Sequence, residues 1–352
     1  MKEYTHGGDI VGAREIWKGE LLDFSANLNP LGMPESVRKA AEEAVGEAIH
    51  YPDPLCRGLC AAIARRDSVA PEQVLCGNGA ADLVFRLAFS RRPRRVLVTA
   101  PTFSEYEDAV RAAGGEVVYH RLTPENDFDL TEAVLDDLDD GVDMAFFCTP
   151  NNPTGRLIDP ALMDRILVRC REKGIRAVVD ECFLSLADPG ERAGFTGRLE
   201  AFPDLVLLRA FTKSFALPGL RLGYCLSADA DLMDRLSRCA QPWSVSGPAQ
   251  AAGLAALREP LHPFLARRLI ATERTWLTGQ LQAMGLRPFP SLANYILFQA
   301  EGQSDLKERL LEHGVLIRSC ANYVGLGSDY YRVAVRLRRE NERLIRAMRE
   351  VL

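Results

Sequence analysis

The stretch Ala210-Phe211-Thr212-Lys213-Ser214-Phe215-Ala216-Leu217-Pro218-Gly219-Leu220-Arg221-Leu222-Gly223-Tyr224 decides the reading of this chain. It follows Leu205–Arg209, an apolar run with the length and composition of a buried strand. Lys213 therefore stands in a loop at a strand end, among small and apolar side chains. Loss of hydration there lowers an amine's pKa and supplies the neutral nucleophile that attacks an aldehyde. Thr212 and Arg221 are placed to hold a phosphate beside it. The chain has only six lysines, Lys2, Lys18, Lys39, Lys173, Lys213 and Lys307, so few groups compete for this role. A lone lysine in a loop is ordinarily a solvated surface group, and the assignment depends on its surroundings.

Upstream, the apolar runs Arg95–Thr99, Glu116–Tyr119, Met144–Cys148 and Arg176–Val179 read as further buried strands. Glu105–Ala113 and Pro160–Lys173 between them read as helices, the second closed by Gly174. Alternating strands and helices imply βαβ units, a mostly parallel sheet, and ligands at the carboxyl ends of its strands. After Tyr224 the pattern loosens through Gln241–Pro248. A helix over Ala249–Arg258 and the charged stretch Arg267–Met284 follow; helices Ser304–His313 and Arg339–Val351, with strands Tyr295–Gln299, Val315–Arg318 and Tyr331–Val335, then make an α+β module. The expected division is an N-terminal arm over 1–30, a large domain over 31–245 and a small C-terminal domain over 246–352.

Four more strand-end segments carry chemistry. Val178-Val179-Asp180-Glu181 ends a strand in an acid 33 residues before Lys213, where a carboxylate can keep a pyridine nitrogen protonated. Cys148-Thr149-Pro150-Asn151-Asn152-Pro153-Thr154-Gly155 is a polar turn whose Asn amide can donate to a ring oxygen. In Leu75-Cys76-Gly77-Asn78-Gly79-Ala80-Ala81-Asp82, glycines open a helix whose free N–H groups suit a phosphate. Ala100-Pro101-Thr102-Phe103 sets an aromatic at the sheet edge, able to stack on a flat ring. Each has a plain structural reading alone: a cap, a turn, a loop, a core phenylalanine. Their order along the chain is what makes the set specific.

That ordered set resembles the fold type I family of pyridoxal-phosphate enzymes, the aspartate-aminotransferase-like α/β fold, over nearly the whole chain. The resemblance implies a Schiff-base role for Lys213, Asp180 on the pyridine nitrogen, Asn152 on the ring hydroxyl and Phe103 stacked on the ring. It implies that Gly79, Ala80, Thr212 and Arg221 hold the cofactor phosphate. Tyr51, in His50-Tyr51-Pro52-Asp53, would reach the phosphate in a neighbouring subunit, which implies a homodimer. Ala210 departs from the pattern, since relatives commonly carry a hydroxyl residue shortly before the lysine.

Within the family, His6-Gly7-Gly8, Leu22–Gly32, Gln241–Val245 and Leu316–Ala334 resemble the branch that decarboxylates phosphorylated L-threonine in cobalamin biosynthesis. The implied substrate is a small phosphorylated amino acid. Arg332 would take its carboxylate and Arg318 would help hold its phosphate, with His6, Gly7, Asn27 and Asn152 completing the pocket. A substrate with two anionic groups needs two cationic anchors, and guanidinium forks suit both. An aminotransferase of the histidinol-phosphate type and a decarboxylase of L-serine O-phosphate remain open. The second differs by one methyl group, which a hydrophobic contact discriminates by only about 1–3 kcal/mol.

Composition narrows the alternatives. With 352 residues and a net charge of −5, the chain has no excess of positive charge for nucleic acid or an anionic membrane. Met1–Asp9 has no apolar signal region, and no stretch approaches the ~20 apolar residues of a membrane span. Nine cysteines without a C-x-x-C pair suit a reduced, cytoplasmic setting. The five histidines show no metal-ligand spacing, and neither a G-x-S-x-G nor a P-loop is present.

Overall fold

The structure, a computed structural model, describes residues 6–352, so the first five residues of the expected arm lie outside it. Strand β1 (Leu22–Asp23) precedes a seven-stranded sheet made of β2 (Val74–Gly77), β3 (Arg95–Ala100), β4 (Glu116–Arg121), β5 (Met144–Cys148), β6 (Arg176–Asp180), β7 (Leu205–Ala210) and β8 (Gly223–Leu226). Their spatial order is β2-β8-β7-β6-β5-β3-β4. Pairing is parallel throughout β4 to β7, and β8 runs antiparallel to both its neighbours. The mostly parallel α/β sheet expected from the alternating pattern is present.

Its strands are apolar without a break because both faces are covered. The period of two still sorts them. Leu97, Ala145, Phe147, Ala177, Val179, Leu205 and Leu207 enter one core, while Val96, Val98, Met144, Phe146, Val178, Val206 and Leu208 enter the other. Helix Pro160–Lys173 starts where Asp159 accepts the Leu162 N–H at 2.9 Å and ends at Gly174, whose φ of 68° favours glycine.

The smaller body has an antiparallel sheet of β9 (Arg287–Pro288), β10 (Tyr295–Gln299), β12 (Arg318–Ser319) and β13 (Tyr330–Ala334), in the order β12-β13-β10-β9. β11 (Val315–Leu316) pairs instead with β1, Leu22 opposite Val315. The single strand expected over Val315–Arg318 is thus split at Ile317, and the N-terminal segment is stitched to the smaller body. Leu22 and Phe24 join its core. Helix Gly247–Ala256 puts Ala249, Ala252 and Ala256 into the larger core, so the change of core falls after that helix rather than at residue 245.

Candidate active site

The carboxyl edge of the parallel strands gathers the expected residues. Phe103 follows β3, Asn152 follows β5, Asp180 ends β6 and Lys213 follows β7. Ala80, Phe103, Asn152, Asp180, Thr212, Lys213 and Arg221 line one cavity of about 130 Å³. A larger groove of about 680 Å³ beside helix Leu261–Ala283 reaches Ser214 and Phe215 but none of these residues.

Lys213 lies in a one-turn helix, Phe211–Ser214, rather than the expected loop. Its Nζ has no hydrogen-bond or ion-pair partner among the described residues and sits 5.5 Å from the Phe183 ring centroid. Burial, and then the nearby guanidinium of Arg332, lower its pKa from 10.5 to about 8. Both Asp180 oxygens are engaged. The buried Tyr106 hydroxyl donates to Oδ2 at 2.6 Å, and the Cys182 N–H donates to Oδ1 at 2.9 Å. Burial and the Asp180 charge push the Tyr106 phenol well up, so it stays a donor.

At the other end of the cavity, Gly79 has φ +81°, and a Cβ there would lie 2.6 Å from Arg221 Nη2. Glycine therefore lets the guanidinium lie against the start of helix Ala80–Arg91, where backbone N–H groups are free. Thr212 is buried beside them, its hydroxyl unpartnered among the described residues. This lining fits a flat pyridine ring with a phosphate, the shape of pyridoxal phosphate: cation and helix start at one end, carboxylate at the other, amine between, Phe103 at the edge.

Beyond it lies a second polar layer. Arg318 on β12 stands directly opposite Arg332 on β13. Both are buried, and neither pairs with a carboxylate among the described residues. Arg332 donates to Asn152 Oδ1 and, at 2.7 Å, to the Ser25 carbonyl. The first bond turns the Asn152 amide so that its NH₂ remains without a partner among the described residues. Ser25 also carries Gly7, on which a Cβ would come within 2.2 Å of the Ser25 carbonyl, and its Oγ accepts the Gly8 N–H at 2.7 Å. His6 pairs with Glu105 at 2.9 Å and meets Phe103 edge-on. Asn27 is buried with both polar side-chain atoms unpaired among the described residues, the arrangement of a group held for a ligand. Tyr51 does not line its own chain's cavity: it is 78% exposed and stacks on Trp243 at 4.2 Å.

Tyr106, Cys182, Phe183 and Tyr323 belong to this region without having been singled out from sequence. Tyr106, three residues after Phe103 at the start of helix Glu105–Ala112, could have been read from its closeness in sequence to that strand end.

A fold with its lysine, carboxylate and phosphate cradle on the carboxyl edge of such a sheet defines a class. Residues 19–348 match the family model for aminotransferase class I and II, and the chain belongs to that family. Within it, the chain is 40% identical to the threonine-phosphate decarboxylase of Salmonella typhimurium, covering 99% of this chain and 96% of that one. It is also similar to the solved L-threonine-O-3-phosphate decarboxylase of Porphyromonas gingivalis (TM-score 0.82, 26% identity, 93% and 98% covered). The histidinol-phosphate aminotransferase of Clostridium acetobutylicum is a further structural neighbour (TM-score 0.87, 28% identity, 94% and 99% covered).

Proposed function

We propose that this chain is a pyridoxal-phosphate-dependent decarboxylase that converts L-threonine O-3-phosphate to (R)-1-amino-2-propanol O-2-phosphate, and that it works as a homodimer. The similarity to decarboxylases acting on that substrate supports the reading. The observation that carries it is Arg318 opposite Arg332, two buried guanidinium groups with no acid paired to either among the described residues, next to the lysine cavity. Like charges at cross-strand positions are unfavourable unless something anionic joins them. A substrate with a carboxylate and a phosphate supplies both anions.

When bound, pyridoxal phosphate supplies an electron sink for the bond broken at the substrate's Cα. The residues do the rest. Lys213 offers a partly neutral amine to hold the cofactor and, once free, a proton carrier near Cα. Asp180, held by Tyr106 and Cys182, keeps a carboxylate against the ring nitrogen. Asn152 donates its NH₂ to the ring oxygen while its carbonyl orients Arg332. Gly79, Ala80, Thr212 and Arg221 hold the cofactor phosphate, and Tyr51 reaches that of the second subunit. Arg332 grips the carboxylate, and Arg318 with His6, Gly7 and Asn27 receives the substrate phosphate. Grip at both ends would fix the orientation of the substrate's Cα substituents, and with it which Cα bond the cofactor would weaken. The reaction places the chain in cobalamin biosynthesis, in the cytoplasm; separately, no helix among the described residues is long and apolar enough to cross a membrane.

The structural likeness to a histidinol-phosphate aminotransferase favours one second reading, amino transfer by the same lysine. Its mark is dependence on 2-oxoglutarate. Lys213→Ala tests the shared premise: the variant should fold, lose the absorbance of covalently held cofactor, and lose turnover of L-threonine O-3-phosphate. Full activity in that variant contradicts both readings.

A further inference from the structure

We propose that Tyr323 is a positioning residue that couples the two anion anchors and so tunes which Cα bond is broken; the inference rests on the decarboxylase reading above. Tyr323 is buried, at 7% exposure, in the turn between β12 and β13. The Arg318 guanidinium carbon lies 5.3 Å from the centroid of its ring, a cation–π arrangement. Its hydroxyl stands 3.4 Å from Arg332 Nη1, from which it accepts, and 3.4 Å from Asn152 Oδ1, to which it donates. One side chain thus touches both cations by different chemistry, ring for one and hydroxyl for the other.

The remaining supports are separate for the two arginines. Arg318 Nη2 donates to Asn322 Oδ1 at 2.7 Å, four residues along the same turn. Arg332 is held by Asn152 and by Ser25, and packs over Tyr295 at 5.6 Å. Among the described residues, only Tyr323 meets both guanidinium groups through a hydrogen bond or a ring contact. Because its ring is rigid and has two side-chain torsions, a shift of one guanidinium is passed to the other. Carboxylate and phosphate sit at fixed separation on the substrate, so the spacing of the two cations sets the tilt of the carboxylate. At 3.4 Å the hydroxyl contacts are long for hydrogen bonds. They steer the geometry, and together contribute no more than one modest hydrogen bond.

The test uses holoenzyme and two single-anion probes, inorganic phosphate and propionate, titrated through changes in the bound cofactor's absorbance. Tyr323→Phe keeps the ring under Arg318 and removes only the hydroxyl. It should weaken propionate about 3–10-fold, the loss expected for one modest hydrogen bond, and leave phosphate within about twofold. Tyr323→Leu should weaken both probes. In both variants the share of L-threonine O-3-phosphate consumed by keto-acid-dependent amino transfer, relative to CO₂ released, should rise. Equal weakening of both probes in Tyr323→Phe would mean mere loosening of the site, and wild-type binding with unchanged partition would mean no coupling; either overturns the proposal. If the wild-type enzyme binds both probes but does not consume the substrate, the decarboxylase reading fails, while the probe selectivity of the variants still decides the coupling.

Discussion

Burial, reinforced by the positive charges of Arg332 and Arg221, brings the Lys213 amine to about 8, against an ordinary 10.5. About one lysine in ten is then neutral at pH 7, where an unperturbed amine would be almost wholly protonated. The sign follows: the reactive form gains with rising pH and is nearly complete about one unit above the pKa. Capture of pyridoxal phosphate by the cofactor-free protein should therefore accelerate roughly fivefold from pH 7 to 8 and flatten above about pH 9. Rates that keep climbing tenfold per unit to pH 10 would show a solvated lysine. Lys213 and Asp180 were legible in the sequence because each ends or follows an apolar strand. Tyr106 was not: it donates to an acid 74 residues away, a contact that only the stacking of β3 and β6 on either side of β5 creates.

At the level of elements, the start of helix Ala80–Arg91 works only because residue 79 is glycine. A Cβ would carry the strain of a positive φ, about 1–3 kcal/mol, and would push Arg221 from its seat. Gly79→Ala should weaken cofactor binding about tenfold or more in equilibrium dialysis, with the folded far-UV spectrum retained; unchanged affinity would remove Gly79 and Arg221 from the phosphate cradle. The Gly-Asn-Gly sequence pointed to this loop, since the need for a left-handed backbone is local. The pairing of Arg318 with Arg332 was not visible in the same way. Both arginines could be named, but their face-to-face register depends on the break at Ile317, which frees β12 from β11 to join β13. A continuous apolar run, Val315–Ile317, conceals that break because both halves are buried.

For the whole molecule, the exposed Tyr51–Trp243 stack is the feature that its own chain does not explain. If each site borrows Tyr51 from a second copy, a symmetric dimer contains two composite sites. Lys213→Ala and Tyr51→Ala subunits would each be impaired alone. Mixed and reassorted, they should recover up to about a quarter of wild-type activity, since half the dimers are mixed and each has one intact site. No recovery, with mixed dimers demonstrated by mass, would contradict a Tyr51 supplied by the second copy. The shift in pattern after Tyr224 was legible, but not which segments pack into which core. β1 pairs with β11 in a two-stranded sheet of its own and helix Gly247–Ala256 stays with the larger core, long-range packing that periodicity does not encode.

On this reading the double-arginine pocket beside Lys213 releases the carboxylate of a phosphorylated amino acid. L-threonine O-3-phosphate labelled in its carboxyl carbon, given to the purified holoenzyme without any keto acid, tests this most directly. The expected result is one labelled CO₂ for each substrate consumed, with aminopropanol phosphate accumulating in step. Label retained in the substrate, and consumption only when 2-oxoglutarate is added, would contradict it.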